Sequence, residues 1–236
     1  MKIAFQLLMT MILAYPLLQC SKLPGTHKIT SMDTVITGEK TLLSLGDSYT
    51  IGQSIDENLR FSAQAVDLLE KAGIKCKSPD YVARTGWTTT NLSDALKLAT
   101  LKPPYDFVTL LIGVNDQYQR MNIAKYKDHF MQLLNKSIEY AGGKKDHVIV
   151  ISIPDYSITP FVEPSGKASV SSDIKAYNII NKDATTFNGC KYIDISETYH
   201  QGSKDLTLIA DDNLHPSGKE YGKWAMKVAE YIETIK

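Results

Sequence analysis

The stretch Leu42-Leu43-Ser44-Leu45-Gly46-Asp47-Ser48-Tyr49-Thr50-Ile51-Gly52 puts a hydroxyl where chemistry can be done. An apolar, strand-like run stops at Gly46, a serine follows two positions later, and Gly52 leads toward a helical pattern. A strand that ends in a tight turn lifts its next side chain out at the carboxyl edge of the sheet, where open α/β sheets bind ligands. Taken alone, Ser48 reads as a turn or cap residue. It becomes a nucleophile only when a base takes its proton. Two histidines have a carboxylate three positions upstream: His215 with Asp212, and His200 with Glu197. In a turn, that step lets the carboxylate hold Nδ1 and leaves Nε2 for a serine hydroxyl. Asp211 is a second carboxylate beside His215, but the three-residue step favours Asp212. Serine, imidazole and carboxylate together point to acyl transfer.

Such groups need a scaffold. Apolar runs predict strands near 41–45, 74–83, 105–112, 147–153 and 190–195. Helical spacing predicts helices near 58–72, 91–98, 122–141, 173–187 and 217–235, the second capped by Asn91 or Ser93. Residues 154–172, with Pro154, Pro160, Pro164 and Gly166, read as a long irregular loop, a kind of segment that is usually functional or mobile. Five strands alternating with helices predict a doubly wound α/β fold with a parallel sheet. Right-handed crossovers make the flavodoxin-like order 2-1-3-4-5 the natural choice, a three-layer sandwich. Ser48, Gly86, Asn115 and His215 then all fall in loops on one rim of that sheet.

The chain has 236 residues, enough for one domain with a good-sized core. Its 26 basic and 26 acidic side chains balance, so there is no electrostatic footprint for nucleic acid. The run Ile3 to Leu18 after Met1-Lys2 is too short for a membrane span and reads as an export signal. It ends in Gln19-Cys20, which resembles a bacterial lipoprotein signal whose cysteine is acylated. Gln19 stands where that pattern has a small residue, and ordinary secretion is the alternative. The expected organisation is a signal over 1–20, a polar tether over 21–40 and one domain over 41–236. The resulting protein is periplasmic or membrane-anchored and monomeric. Cys76 and Cys190 fall near opposite edges of the expected sheet and are predicted to be unpaired. Neither lies in a metal-ligand spacing, and no metal or cofactor is expected.

The chemistry-bearing residues resemble the blocks of the GDSL/SGNH hydrolases, a family of esterases and lipases. Gly46-Asp47-Ser48 matches the first block, Gly86 the second, Gly113-Val114-Asn115-Asp116 the third and Asp212-Asn213-Leu214-His215 the last. The resemblance selects His215 over His200. It implies Ser48, Asp212 and His215 as the catalytic set. It also implies an oxyanion hole made by the Ser48 and Gly86 backbone N–H groups and the Asn115 side-chain amide. Thr50 occupies the last glycine of G-x-S-x-G, so the α/β-hydrolase signature does not fit. Among the aromatic residues flanking the rim, Trp87 and Tyr156 are the candidates to line a substrate pocket. The expectation is an exported serine esterase acting on an acetyl or acyl ester of a glycan or small molecule. A lysophospholipase or thioesterase is the alternative within the enzymes. A glycan-binding protein that has lost turnover is the alternative outside them.

Overall fold

A computed structural model describes residues 38–236. The expected signal, Cys20 and nearly all of the tether lie outside the described residues. Five parallel strands form one sheet in the order β2-β1-β3-β4-β5, the order expected. They are β1 (Leu42–Gly46), β2 (Asp80–Ala83), β3 (Phe107–Leu111), β4 (Val148–Ile151) and β5 (Lys191–Ile193). The three central strands are apolar throughout apart from Ser44 and Thr109, and all three are fully buried. A strand covered on both faces has no polar side, which is why these runs show no alternation. Ser44 and Thr109 meet across β1 and β3 through a 3.0 Å hydroxyl hydrogen bond, so neither is left unpaired in the core.

Helices cover both faces. On one face α2 (Phe61–Lys71) packs against the last helix, with Phe61, Ala65 and Leu69 meeting Tyr221, Trp224 and Val228. The Phe61 and Trp224 rings stand 6.4 Å apart, and Tyr221 meets Trp224 edge-on at 4.9 Å. On the other face lie α3 (Thr89–Leu98), α5 (Ile123–Tyr140) and α6 (Lys167–Phe187). Two short helices, α1 (Ser48–Ile51) and α4 (Val114–Tyr118), begin directly beyond β1 and β3. Near the C-terminus, α7 (Ser196–His200) precedes α8 (Gly218–Ile235), whose N-cap is Ser217.

Three helix starts differ from expectation. The helix α2 begins at Phe61, not 58, because Glu57–Leu59 form a separate 3₁₀ turn. Thr88, not Asn91 or Ser93, caps α3: its hydroxyl accepts the Asn91 N–H, and the Asn91 side chain accepts the Thr88 N–H in a capping box. The helix α6 begins at Lys167, so the irregular segment is shorter than 154–172 and contains two 3₁₀ turns, Tyr156–Ile158 and Pro164–Gly166. The last of the loop-forming residues, Gly166, stands directly before the helix as its N-cap. Ser171 is held inside the helix because its hydroxyl donates to Asp155 at 2.6 Å. Cys76 and Cys190 are both buried and free. Cys76 pairs with Lys40 beside β1, and Cys190 precedes β5 at the other edge.

Candidate active site

Gly46 ends β1 between the partner strands, paired with Ala83 on one side and Leu111 on the other. A side chain there would collide with the Leu111 carbonyl oxygen and the Thr50 side chain. Only glycine lets the chain turn so tightly against its neighbours. Asp47 caps α1 by accepting the Tyr49 N–H at 3.0 Å, and the turn delivers Ser48 to the sheet's carboxyl rim. At the end of β3, Gly113 plays the same part. Its φ is +126°, and a side chain would run into Tyr126 and Ile153. The next turn is α4, which presents Asn115.

The third contributor arrives in the loop between α7 and α8. Ile209 pairs with Pro216 across this loop, Ala210 N–H bonds the His215 carbonyl oxygen at 2.8 Å, and Asn213 takes φ +61°. The buried Tyr199 hydroxyl donates to the Leu214 carbonyl oxygen at 2.9 Å. These bonds hold the loop against the rim at His215.

The structure brings Ser48, His215 and Asp212 together. Ser48 Oγ lies 2.9 Å from His215 Nε2, and His215 Nδ1 lies 2.6 Å from Asp212 Oδ2. Asp212 Oδ1 accepts the N–H groups of Leu214 and His215, each at 2.9 Å. Burial would push the Asp212 carboxyl up, but these hydrogen bonds outweigh it and hold the group down at about 2. Asp212 is therefore a carboxylate at neutral pH. Burial lowers the His215 imidazole below its ordinary value, against the opposing pull of Asp212. A neutral imidazole with its Nδ1 proton held by a carboxylate can accept a proton at Nε2. The Tyr49 ring, 4.9 Å from that of His215, covers it on one side.

Asn115 stands at the same rim. Its amide donates to the Trp87 carbonyl oxygen at 3.0 Å, which ties α4 to the turn after β2. The amide carries two N–H groups, so one remains for a ligand. Gly86 lies in that turn with φ +82° and open space where a side chain would project. Asp116 is buried and fastens α4 to α3 by accepting the Thr89 N–H at 2.9 Å.

A pocket of about 180 Å³ opens over Ser48 and His215, with Tyr49, Val114, Asn115, Tyr118, Tyr156, Phe161 and Leu214 completing its lining. Tyr156 is thus in the wall, as expected. Trp87 is not among the lining residues, and Gly86 is not either. What Trp87 contributes is its backbone carbonyl, to Asn115, and its ring packs against the core. The rival histidine does not join this site. His200 Nε2 meets Asp155 at 3.3 Å on α7, and Glu197 is exposed. Asp211 is exposed and lines a different groove.

One participant was not anticipated. Ser54 donates its hydroxyl to Asp212 Oδ2 at 2.7 Å. Nothing in its sequence setting marks it, because the contact depends on a left-handed backbone turn at φ +66°.

Solved structures with this fold include TesA, at 16% identity and a TM-score of 0.66 over 84% of this chain and 100% of that one. A lipase/acylhydrolase from Enterococcus faecalis aligns at 20% identity and 0.63 over 83% of this chain and 96% of its own. Axe2, an acetylxylan esterase from Geobacillus stearothermophilus, aligns at 18% and 0.59 over 82% and 92%. No curated protein sequence matches the chain. The model of the GDSL-like lipase/acylhydrolase family matches residues 44–222, from β1 into the last helix, and the chain belongs to that family.

Proposed function

We propose that the protein is an exported serine esterase that cleaves short acyl esters through an acyl-serine intermediate. That it is an esterase-type hydrolase follows from its family. The observation that carries the finer reading is the continuous chain from Ser48 through His215 to Asp212, at 2.9 and 2.6 Å. In this reading His215 Nε2 takes the Ser48 proton as Oγ attacks the ester carbonyl. The oxyanion forms beside the Ser48 N–H, the Gly86 N–H and the free Asn115 amide hydrogen. His215 then returns the proton to the departing alcohol. Water repeats the attack on the acyl-serine, giving its proton to His215, which passes it to the departing Ser48 Oγ as the acid is released. One oxyanion donor is worth about 10²–10³ in turnover.

The pocket supports a short acyl group. Its volume of about 180 Å³ is small, and Val114, Leu214 and the aromatic rings of Tyr118, Tyr156 and Phe161 make its walls largely apolar. The apolar run at the N-terminus supports export. The test is hydrolysis of 4-nitrophenyl esters from acetate to decanoate. The wild type should prefer the short end, and Ser48→Ala, still folded by circular dichroism, should be inactive. Equal rates in wild type and Ser48→Ala would rule the nucleophile out.

A further inference from the structure

The hydrogen-bond chain that begins at Ser48 does not stop at Asp212. Asp212 Oδ2, the oxygen that faces His215 Nδ1, also accepts the Ser54 hydroxyl at 2.7 Å. Ser48 and Ser54 belong to one turn. The helix α1 closes at Gly52, Gln53 N–H bonds back to the Ser48 carbonyl oxygen at 3.0 Å, and Ile55 N–H bonds back to that of Gly52 at 3.3 Å. The chain of hydrogen bonds therefore leaves this segment at Ser48 and re-enters it at Ser54. The His215–Asp212 pair is thus held at both ends by hydroxyls of the same short segment.

The backbone at Ser54 is costly. Its φ of +66° lies in the left-handed region that glycine adopts freely and serine does not. Ser54 is exposed, so no core packing explains a side chain there. Strain at a position that touches a functional group is a reason to ask what the side chain does. Here the side chain makes one contact with consequence, to Asp212.

We infer that Ser54 is a positioning residue: its hydroxyl fixes the Asp212 carboxylate and, through it, the seat of His215 against Ser48. The inference rests on the roles proposed above for those three residues. The hydroxyl has an electrostatic effect as well. By donating to Oδ2 it spreads the carboxylate's charge away from the imidazole. Without it, Asp212 holds a protonated His215 more tightly. His215 otherwise faces the Tyr49 ring and the Ser48 hydroxyl from α1, and the Tyr199 hydroxyl is spent on the Leu214 carbonyl oxygen. The nearby carboxylates Asp56 and Asp211 line the groove beside Ser54.

Two variants separate positioning from backbone effects. Ser54→Ala removes the hydroxyl and keeps the strain, whereas Ser54→Gly removes both. With a short nitrophenyl ester, each should lose about tenfold in kcat, the order of one hydrogen bond to a charged group, with KM little changed. In each, the acid limb of the pH profile should move to higher pH. Ser54→Gly should melt at or above the wild-type temperature. A Ser54→Gly enzyme with wild-type kcat and pH profile overturns the inference. So does a loss confined to Ser54→Ala and accompanied by a lower melting temperature, since strain would then be the cause. Ser48→Ala is assayed alongside. If it remains active, the reading of the site has failed. If it is inactive and Ser54→Gly is unimpaired, only the role of Ser54 has.

Discussion

His215 Nε2 lies 2.9 Å from the Ser48 hydroxyl oxygen, although 167 positions separate them in the chain. Neither residue is held by its own neighbours alone. Ser48 is placed by the turn that Gly46 permits at the centre of the sheet. His215 is placed by a loop pinned to Tyr199 and closed by the pairing of Ile209 with Pro216. The rigid sheet and the last helix turn two local geometries into one site.

The first consequence is a pH profile. Burial lowers the His215 imidazole below its ordinary value of 6.5, and the Asp212 charge works against that. The base is active only when neutral, so activity is lost as pH falls through the depressed value. The acid limb of kcat/KM should therefore lie below 6.5. Asp212→Asn removes the opposing charge, so its acid limb should move lower still. It should also lose about 10⁴ in kcat, because the imidazole is no longer held in the productive tautomer. A wild-type limb above 6.5, or one that rises in Asp212→Asn, contradicts this account.

The sheet order and the loops carrying Ser48, Asn115 and His215 were legible because each depends on strong local signals. Buried parallel strands are apolar runs, and each run here ends at a glycine or turn residue. Details set by distant contacts were not legible. Of the two candidates to line the pocket, Tyr156 does so, while Trp87 meets Asn115 through its carbonyl, and a carbonyl has no signature in sequence. The first turns of α6 were not read as helix because they follow Pro160, Pro164 and Gly166 directly, and Ser171 is held there by a contact to Asp155 that lies 16 positions away. Ser54 was invisible because only the folded turn aims its hydroxyl at Asp212.

Tyr156 should set the length of the acyl group. Its ring is buried in the pocket wall and anchored at the far end, where its hydroxyl donates to Gln117 Oε1 at 2.8 Å. Gln117 in turn donates to Asp173 at 3.1 Å, so the ring is braced between α4 and α6. Tyr156→Ala should open this wall. Each additional buried methylene is worth about 0.8 kcal/mol, so room for two more should raise the octanoate-to-acetate ratio of kcat/KM about tenfold. Tyr156→Phe keeps the ring and should leave the ratio close to wild type. An unchanged ratio in Tyr156→Ala would show that the acyl chain lies elsewhere.

Asp47 ties stability to pH. It is fully buried, with one oxygen on the Tyr49 N–H and the other without a partner. Burial pushes its carboxyl up to about 8; the Tyr49 N–H opposes the rise and the Asp116 charge adds to it. In the unfolded chain the same group ionises near 3.8. Between these values the folded state holds a proton that the unfolded state has released, so stability falls as pH rises through the window. Above about 8 both states are ionised and the slope from this group ends. Asp47→Asn presents the same oxygen to Tyr49 and does not titrate. Its melting temperature relative to wild type should therefore climb from pH 4 to pH 8 and then level off. A difference that stays flat across that range would mean that Asp47 is ionised in the folded protein throughout.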